Sequence, residues 1–224
     1  MSPFGNPEDL LYTINDCKLY RKDLERLKWA EDISPHKKYL NDAIINYVFQ
    51  IFEKQYSNVR CLSTFFYSRL QNLKLGPPFS WFKKEDLLSY KVILIPINLT
   101  KHWILVSVNT RKNKIYYLDS LIEDSAKEYY MRILTNIKYF LQDYELEIHS
   151  RQPRKWKLDI PFKKDSCLQP NSFDCGIMAL NNAKCIADGT GLNYKHDSES
   201  LVFYRKQLFL EIHNQKFFDF NTCP

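Results

Sequence analysis

At 224 residues, with 45% hydrophobic and 15% aromatic content, the chain is long and apolar enough to bury a sizeable core without a covalent staple. Its six cysteines, Cys17, Cys61, Cys167, Cys175, Cys185 and Cys223, form no CxxC pair and read as reduced thiols, which excludes a disulfide scaffold and points to the nucleus or cytoplasm. The formal charge of +6 is spread along the chain, with only a short cluster from Arg151 to Lys157, so no nucleic acid is expected and a basic surface facing water or an acidic protein is read instead.

No apolar run reaches the roughly 20 residues that span a bilayer, and the opening MSPFGNPEDL lacks the order of a secretory signal, so no membrane segment is expected. Pro3, Gly5 and Pro7 mark residues 1–16 as a flexible arm, and 17–224 read as a single domain, helical over about 17–75 and sheet-containing over about 90–224. Asp23, Leu24, Leu27 and Trp29 suggest a short element before the Ser34-Pro35 break. A firmer helix follows, with Asn41 or Asp42 as its cap and Leu40, Ile44, Val48, Ile51 and Phe52 on one face up to about Lys54.

Residues 61–70 form a second apolar segment, and Gly76-Pro77-Pro78 then interrupts the chain. From Val92 the period changes to extended: VILIPI, WILVSV and KIYYL predict adjacent strands, with a polar turn from Asn109 to Asn113 between the last two. The spacing predicts a helix from about Asp124 to Gln142, a strand over 145–149, a loop to Pro161, a helix from Cys175 to the Asp188-Gly189 stop, and a last helix from Ser198 to His213.

Cys175 therefore stands where a helix begins, and free backbone N–H groups there favour a thiolate. Taken singly, it reads equally as a small buried hydrophobe. A nucleophile needs a base, a group to orient that base and donors for an oxyanion. Among five histidines, His102 alone immediately precedes a mostly apolar strand, Trp103 to Val108. Pairing of WILVSV with KIYYLD as a hairpin brings His102 beside Asp119, seventeen residues later. Gln169, six residues before Cys175, offers a side-chain amide to an oxyanion, with the Cys175 N–H as a second donor. Alone, His102 is also a strand-edge histidine, Asp119 a turn former, Gln169 a polar loop residue and Asp174 a helix cap.

Together, His102-Trp103, Asp119-Ser120 and Gln169-x-Asn171-x-x-Asp174-Cys175-Gly176 resemble the SUMO-specific (sentrin-specific, Ulp-type) cysteine proteases. Tyr39 to Asn46 is similar to that family's Trp-Leu-Asn-Asp helix start, Ser63-Thr64-Phe65-Phe66-Tyr67 to its Phe-Phe-Tyr segment, and Ile95-Pro96-Ile97 to its strand before the histidine; the likeness spans roughly residues 20–215.

The resemblance implies an α+β, papain-like (adenain/Ulp-type) fold, a helical lobe on a central mixed β-sheet, with His102, Asp119 and Cys175 as the triad and Gln169 in the oxyanion hole. It implies a ubiquitin-like partner, SUMO favoured, cleaved after its C-terminal Gly-Gly by a monomer with neither organic cofactor nor metal. Trp103 would lie over the glycines, Tyr39 would form the second wall of their tunnel, Asp42 would meet a basic residue of the modifier, and Trp81 would flank the tail channel. The chain departs from the pattern at Tyr39, where Trp is usual, at Phe173, where a small residue or Tyr is usual, and around Trp81, flanked by Ser80 and Phe82. Ubiquitin or a NEDD-type modifier is the alternative substrate. An acyl-CoA-dependent acetyltransferase and a non-catalytic ubiquitin-like-protein binder are the alternatives of another class.

Overall fold

The computed structural model describes residues 5–30, 32–150, 152–161 and 166–218; Cys223, Arg151 and the first four residues of the expected arm lie outside them. Part of that arm is a strand: Leu10–Ile14 (β1) pairs antiparallel with Cys17–Tyr20 (β2). Asn15 and Asp16 make the turn, and Asn15 takes the left-handed conformation (φ 49°) that Asn tolerates better than most residues. Ile14 and Leu19 point into the core, which anchors the hairpin. The short element before Pro35 is one helical turn, Arg21–Leu24 (α1), running into a 3-10 turn, Glu25–Leu27.

The next helix, α2, spans Asp42–Gln55 and is capped by Asn41, whose Oδ1 accepts from the Ile44 N–H at 3.2 Å. Its apolar face is buried as the spacing predicts. Val59–Cys61 (β3) and Phe66–Gln71 (α3) then lead to Val92–Asn98 (β4), Trp103–Asn109 (β5) and Lys114–Leu118 (β6), the three expected strands. With Lys157–Asp159 (β7) they form a mixed sheet in the order β3-β4-β5-β6-β7, parallel at its two outer pairs and antiparallel within.

Both faces of the sheet are covered, and the period-2 alternation of β4 and β5 divides the core accordingly. Val92, Leu94, Trp103 and Leu105 pack with α2 and with the helix that begins at Cys175, while Ile93, Ile95, Ile104 and Val106 pack under the helix Lys127–His149 (α4). Pro96 is tolerated in this interior strand because β3 stops pairing at Leu94, so no partner is denied an N–H bond.

In place of the strand expected over 145–149, α4 continues to His149. Tyr144 and Glu145 extend its buried face, and the Glu145 carboxylate is held by the Arg154 guanidinium at 2.7 Å and the Arg154 N–H at 2.8 Å, whereas Leu146 and Ile148 face outward. The last two helices are Cys175–Asp188 (α5), closed by Gly189 at φ 75°, and Ser198–Asn214 (α6), capped by Asp197. Among the described residues no helix is long and apolar enough to cross a membrane.

Candidate active site

The β5–β6 hairpin pairs Leu105 with Leu118, a register that turns Asp119 toward Ile104 and makes His102, two positions back on the same face, its diagonal neighbour. His102 Nε2 meets Asp119 Oδ1 at 2.6 Å. The nearly buried carboxylate is fully engaged: Oδ1 also accepts from the Leu121 N–H at 2.8 Å, and Oδ2 accepts from the Tyr117 hydroxyl at 3.0 Å. Burial, reinforced by the charge of Asp119, pushes the Tyr117 phenol's pKa up and keeps it a donor.

Burial alone would lower the His102 pKa, but the bond to Asp119 and the influence of Asp119 and Cys175 outweigh it and raise the imidazole from 6.5 to about 9. Nδ1 is buried without an ordinary hydrogen bond, so the ring is anchored through one nitrogen and the other remains for the sulfur. Cys175 is the first residue of α5 and nearly fully buried. The helix forms from it because Met178 N–H bonds the Asp174 carbonyl at 2.9 Å.

The loop before Cys175 is shaped by Asn171, whose Oδ1 accepts from the N–H groups of Phe173 and Asp174, each at 3.0 Å. Gln169 is buried; its Oε1 accepts from the Ser120 hydroxyl at 2.6 Å and its Nε2 donates to the Asn171 carbonyl at 2.5 Å. An amide nitrogen carries two hydrogens, so one donor of Gln169 is left over.

Asp174 does not cap α5 with its side chain. It accepts from Arg205 Nε at 2.6 Å and from Asn171 Nδ2 at 2.7 Å, and Arg205, only 1% exposed, donates further to the carbonyls of Arg26 (2.7 Å) and Lys38 (3.0 Å). Phe173 lies beneath two cations, Lys38 Nζ at 5.0 Å and the Arg205 guanidinium carbon at 5.5 Å, which gives an aromatic ring a physical reason to stand there.

Segment 38–42 is pinned over this centre from several sides. Trp103 is buried and its indole N–H donates to the Leu40 carbonyl at 2.8 Å, Arg26 donates to the Tyr39 carbonyl at 3.1 Å, and Asn41 donates to Asp23 at 2.7 Å. Leu40 in turn presses on α5, where a Cβ on Gly176 would stand 2.9 Å from two of its carbons. Tyr39 is half-buried against the same core, and Asp42, at the start of α2, has no ion-pair or hydrogen-bond partner among the described residues.

Trp81 lies in a 3-10 turn, Phe79–Phe82. It is 44% exposed, its ring meets Phe66 edge-on at 6.4 Å, and it lines a pocket of about 290 Å³ with Asn46, Arg60 and Ser63 that contains neither Trp103 nor any of His102, Asp119 and Cys175. A groove of about 740 Å³ lined by Leu24, Trp29 and Phe209 likewise contains none of them.

Tyr117, Ser120 and Arg205 were not given roles by the sequence. Tyr117 was within reach of the strand period, since it shares a face with Asp119 two positions on. Arg205 carried a signal too: it falls four residues after Leu201, on the buried face of α6, where a lone charge needs a partner.

A carboxylate bonded to an imidazole, a thiol at a helix start and a spare amide donor, on an α+β scaffold, are the groups that thiol-based acyl transfer calls for. Residues 38–217 match the model of the Ulp1 protease family, C-terminal catalytic domain, and the chain belongs to that family. It is 23% identical over 218 residues to a sentrin-specific protease of Caenorhabditis elegans, covering 95% of this chain and 29% of that protein. It is 26% identical over 224 residues to sentrin-specific protease 2 of Rattus norvegicus, covering 95% and 35%. The chain thus spans about a third of the length of the curated relatives it matches. The fold is that of the Ulp1 C-terminal protease domain solved in complex with Smt3, the yeast ortholog of SUMO (TM-score 0.76, 24% identity, 92% of this chain and 87% of that one). The Chaetomium thermophilum Ulp1-like SUMO protease catalytic domain shares it (TM-score 0.67, 22% identity, 97% and 87%).

Proposed function

We propose that this chain is the catalytic part of a cysteine protease and isopeptidase that removes SUMO by cleaving after its C-terminal Gly-Gly. The observation that carries the reading is the imidazole of His102, fixed at 2.6 Å by Asp119 with its other nitrogen left over, in a fold that sets Cys175 as the first residue of α5. Family membership supports the reaction, and the names of the relatives, sentrin-specific proteases and Ulp1 with Smt3, support the modifier.

In this mechanism Cys175 attacks the carbonyl of the terminal glycine while the spare Gln169 N–H and the Cys175 N–H hold the oxyanion. His102 then protonates the leaving lysine amine or peptide nitrogen, and afterwards takes a proton from the water that hydrolyses the thioester. Trp103 and Tyr39 wall the channel for the two glycines, and an aromatic wall leaves no room for a Cβ and keeps water from the acyl group. Asp42, with its carboxylate unclaimed among the described residues, meets a basic residue of the modifier, and the half-exposed Trp81 flanks the tail channel. The enzyme acts as a monomer in the nucleus or cytoplasm, and its single catalytic domain takes in the hairpin that begins at Leu10, whose Ile14 is part of the core.

The test is cleavage of a SUMO precursor extended beyond Gly-Gly. Wild-type enzyme should release the mature modifier from the Gly-Gly form and leave a Gly-Ala form intact. Equal cleavage of both forms would reject the channel, and cleavage of neither would reject the substrate.

A further inference from the structure

The geometry points to Ser120 as the residue that aims the oxyanion-binding amide of Gln169, a positioning role that joins the strand carrying the acid to the loop carrying the nucleophile. This rests on the reading of Gln169 as an oxyanion donor. Gln169 is 7% exposed and Ser120 2%, so neither side chain has water to satisfy it. Gln169 touches two partners, the Asn171 carbonyl at 2.5 Å and the Ser120 hydroxyl at 2.6 Å.

Those two partners determine which end of the amide is which. A backbone carbonyl only accepts, so the Gln169 nitrogen must face Asn171. The amide oxygen must then face Ser120, and the hydroxyl, which can donate or accept, is obliged to donate. With the oxygen occupied by Ser120 and one N–H by Asn171, the amide plane cannot rotate without breaking a buried bond, and one N–H is left with a fixed direction. A preorganised donor stabilises a developing charge far better than one that must reorient during the reaction. The backbone contributes separately: Gln169 N–H bonds the Ser120 carbonyl at 3.1 Å, so removing the hydroxyl leaves the loop tethered while freeing the side chain.

Ser120 directly follows Asp119, so one turn of chain places both the group that orients the imidazole and the group that orients the oxyanion donor. The acid and the oxyanion site are therefore registered to each other by two adjacent residues. Displacement of β6 would move both together.

The experiment is a double-mutant cycle of Ser120→Ala and Gln169→Ala, with hydrolysis of a SUMO C-terminal aminomethylcoumarin amide followed by kcat and KM. Rates are normalised to the fraction of enzyme that forms an adduct with electrophile-tipped SUMO, so misfolded protein is not counted. Loss of a whole oxyanion donor costs about 100- to 1000-fold in kcat, so Ser120→Ala, which only frees the amide, should lower kcat by about 10- to 100-fold with KM unchanged. The double variant should be no slower than Gln169→Ala alone. Multiplying losses would overturn the inference, since Ser120 would then act without Gln169. A Ser120→Ala enzyme as fast as wild type, beside an impaired Gln169→Ala, would also overturn it while leaving the oxyanion reading standing. Full activity in Gln169→Ala would remove the oxyanion reading and this inference with it.

Discussion

Arg205 and Asp174 meet as a buried ion pair one position before Cys175, with Nε to Oδ1 at 2.6 Å. The same guanidinium holds the carbonyls of Arg26 and Lys38, so a single side chain on α6 sets the distance between the start of α5 and the segment carrying Tyr39 and Leu40. The wall proposed for the substrate tail and the proposed nucleophile are thus spaced by a residue that touches neither the sulfur nor the channel.

Arg205→Met should be strongly destabilising, because it leaves the buried Asp174 charge with Asn171 as its one remaining side-chain donor and takes the donor from two carbonyls. Breaking one side of a buried pair costs about 3–5 kcal/mol. For a chain of this size that lowers the melting temperature by roughly 10 °C. Arg205→Lys keeps the charge but cannot reach three acceptors at once, and should retain the fold with reduced kcat/KM. A melting temperature equal to wild type for Arg205→Met would contradict the geometry.

The pH dependence follows from His102. Its pKa is raised from 6.5 to about 9, so the active imidazolium persists through neutral pH and is lost on the alkaline side, and kcat/KM should fall above about pH 9. Asp119→Asn keeps a hydrogen-bonding group and removes the charge, so this limb should move to lower pH. Stability carries the same sign: the contribution of protonated His102 is complete below 6.5 and disappears as pH rises through about 9. Urea unfolding of wild type and His102→Gln between pH 6 and 10 measures it, and parallel curves would refute it.

Gly176→Ala tests the approach of Leu40 to α5. The added methyl would stand 2.9 Å from Leu40 Cβ and Cγ, closer than carbon atoms pack. Segment 38–42 must shift, and with it the carbonyl that fixes Trp103. Overpacking of this kind costs about 1–3 kcal/mol, and turnover should drop by more than the stability loss accounts for. Leu40→Ala in the same background should recover part of the activity by making room. Absence of any recovery would show that the contact does not transmit the effect.

What the order of residues makes legible is whatever has a short period. The face of α2, the alternation of β4 and β5, and the registry that puts His102 beside Asp119 are local or hairpin properties, and residue spacing reports them. The N-terminal hairpin carries a local signal as well, Asn15-Asp16 between two extended runs, although Pro3, Gly5 and Pro7 by themselves suggest an arm. The end of α4 was not legible, because Glu145 and Arg154 decide it across a turn of chain. The ties that orient the site were invisible for the same reason. Ser120 to Gln169 spans 49 positions and Asp174 to Arg205 spans 31, and no periodicity links such pairs.

The measurement that bears most directly on the central claim is covalent capture. SUMO, ubiquitin and a NEDD-type modifier, each carrying an electrophile in place of its terminal carboxylate, are incubated with wild-type enzyme and with Cys175→Ser. An adduct with SUMO that is lost in Cys175→Ser, while SUMO binding by the variant persists, is the expected result. No adduct with any of the three, or an adduct that survives the substitution, would contradict the assignment of Cys175 as the nucleophile of a SUMO protease.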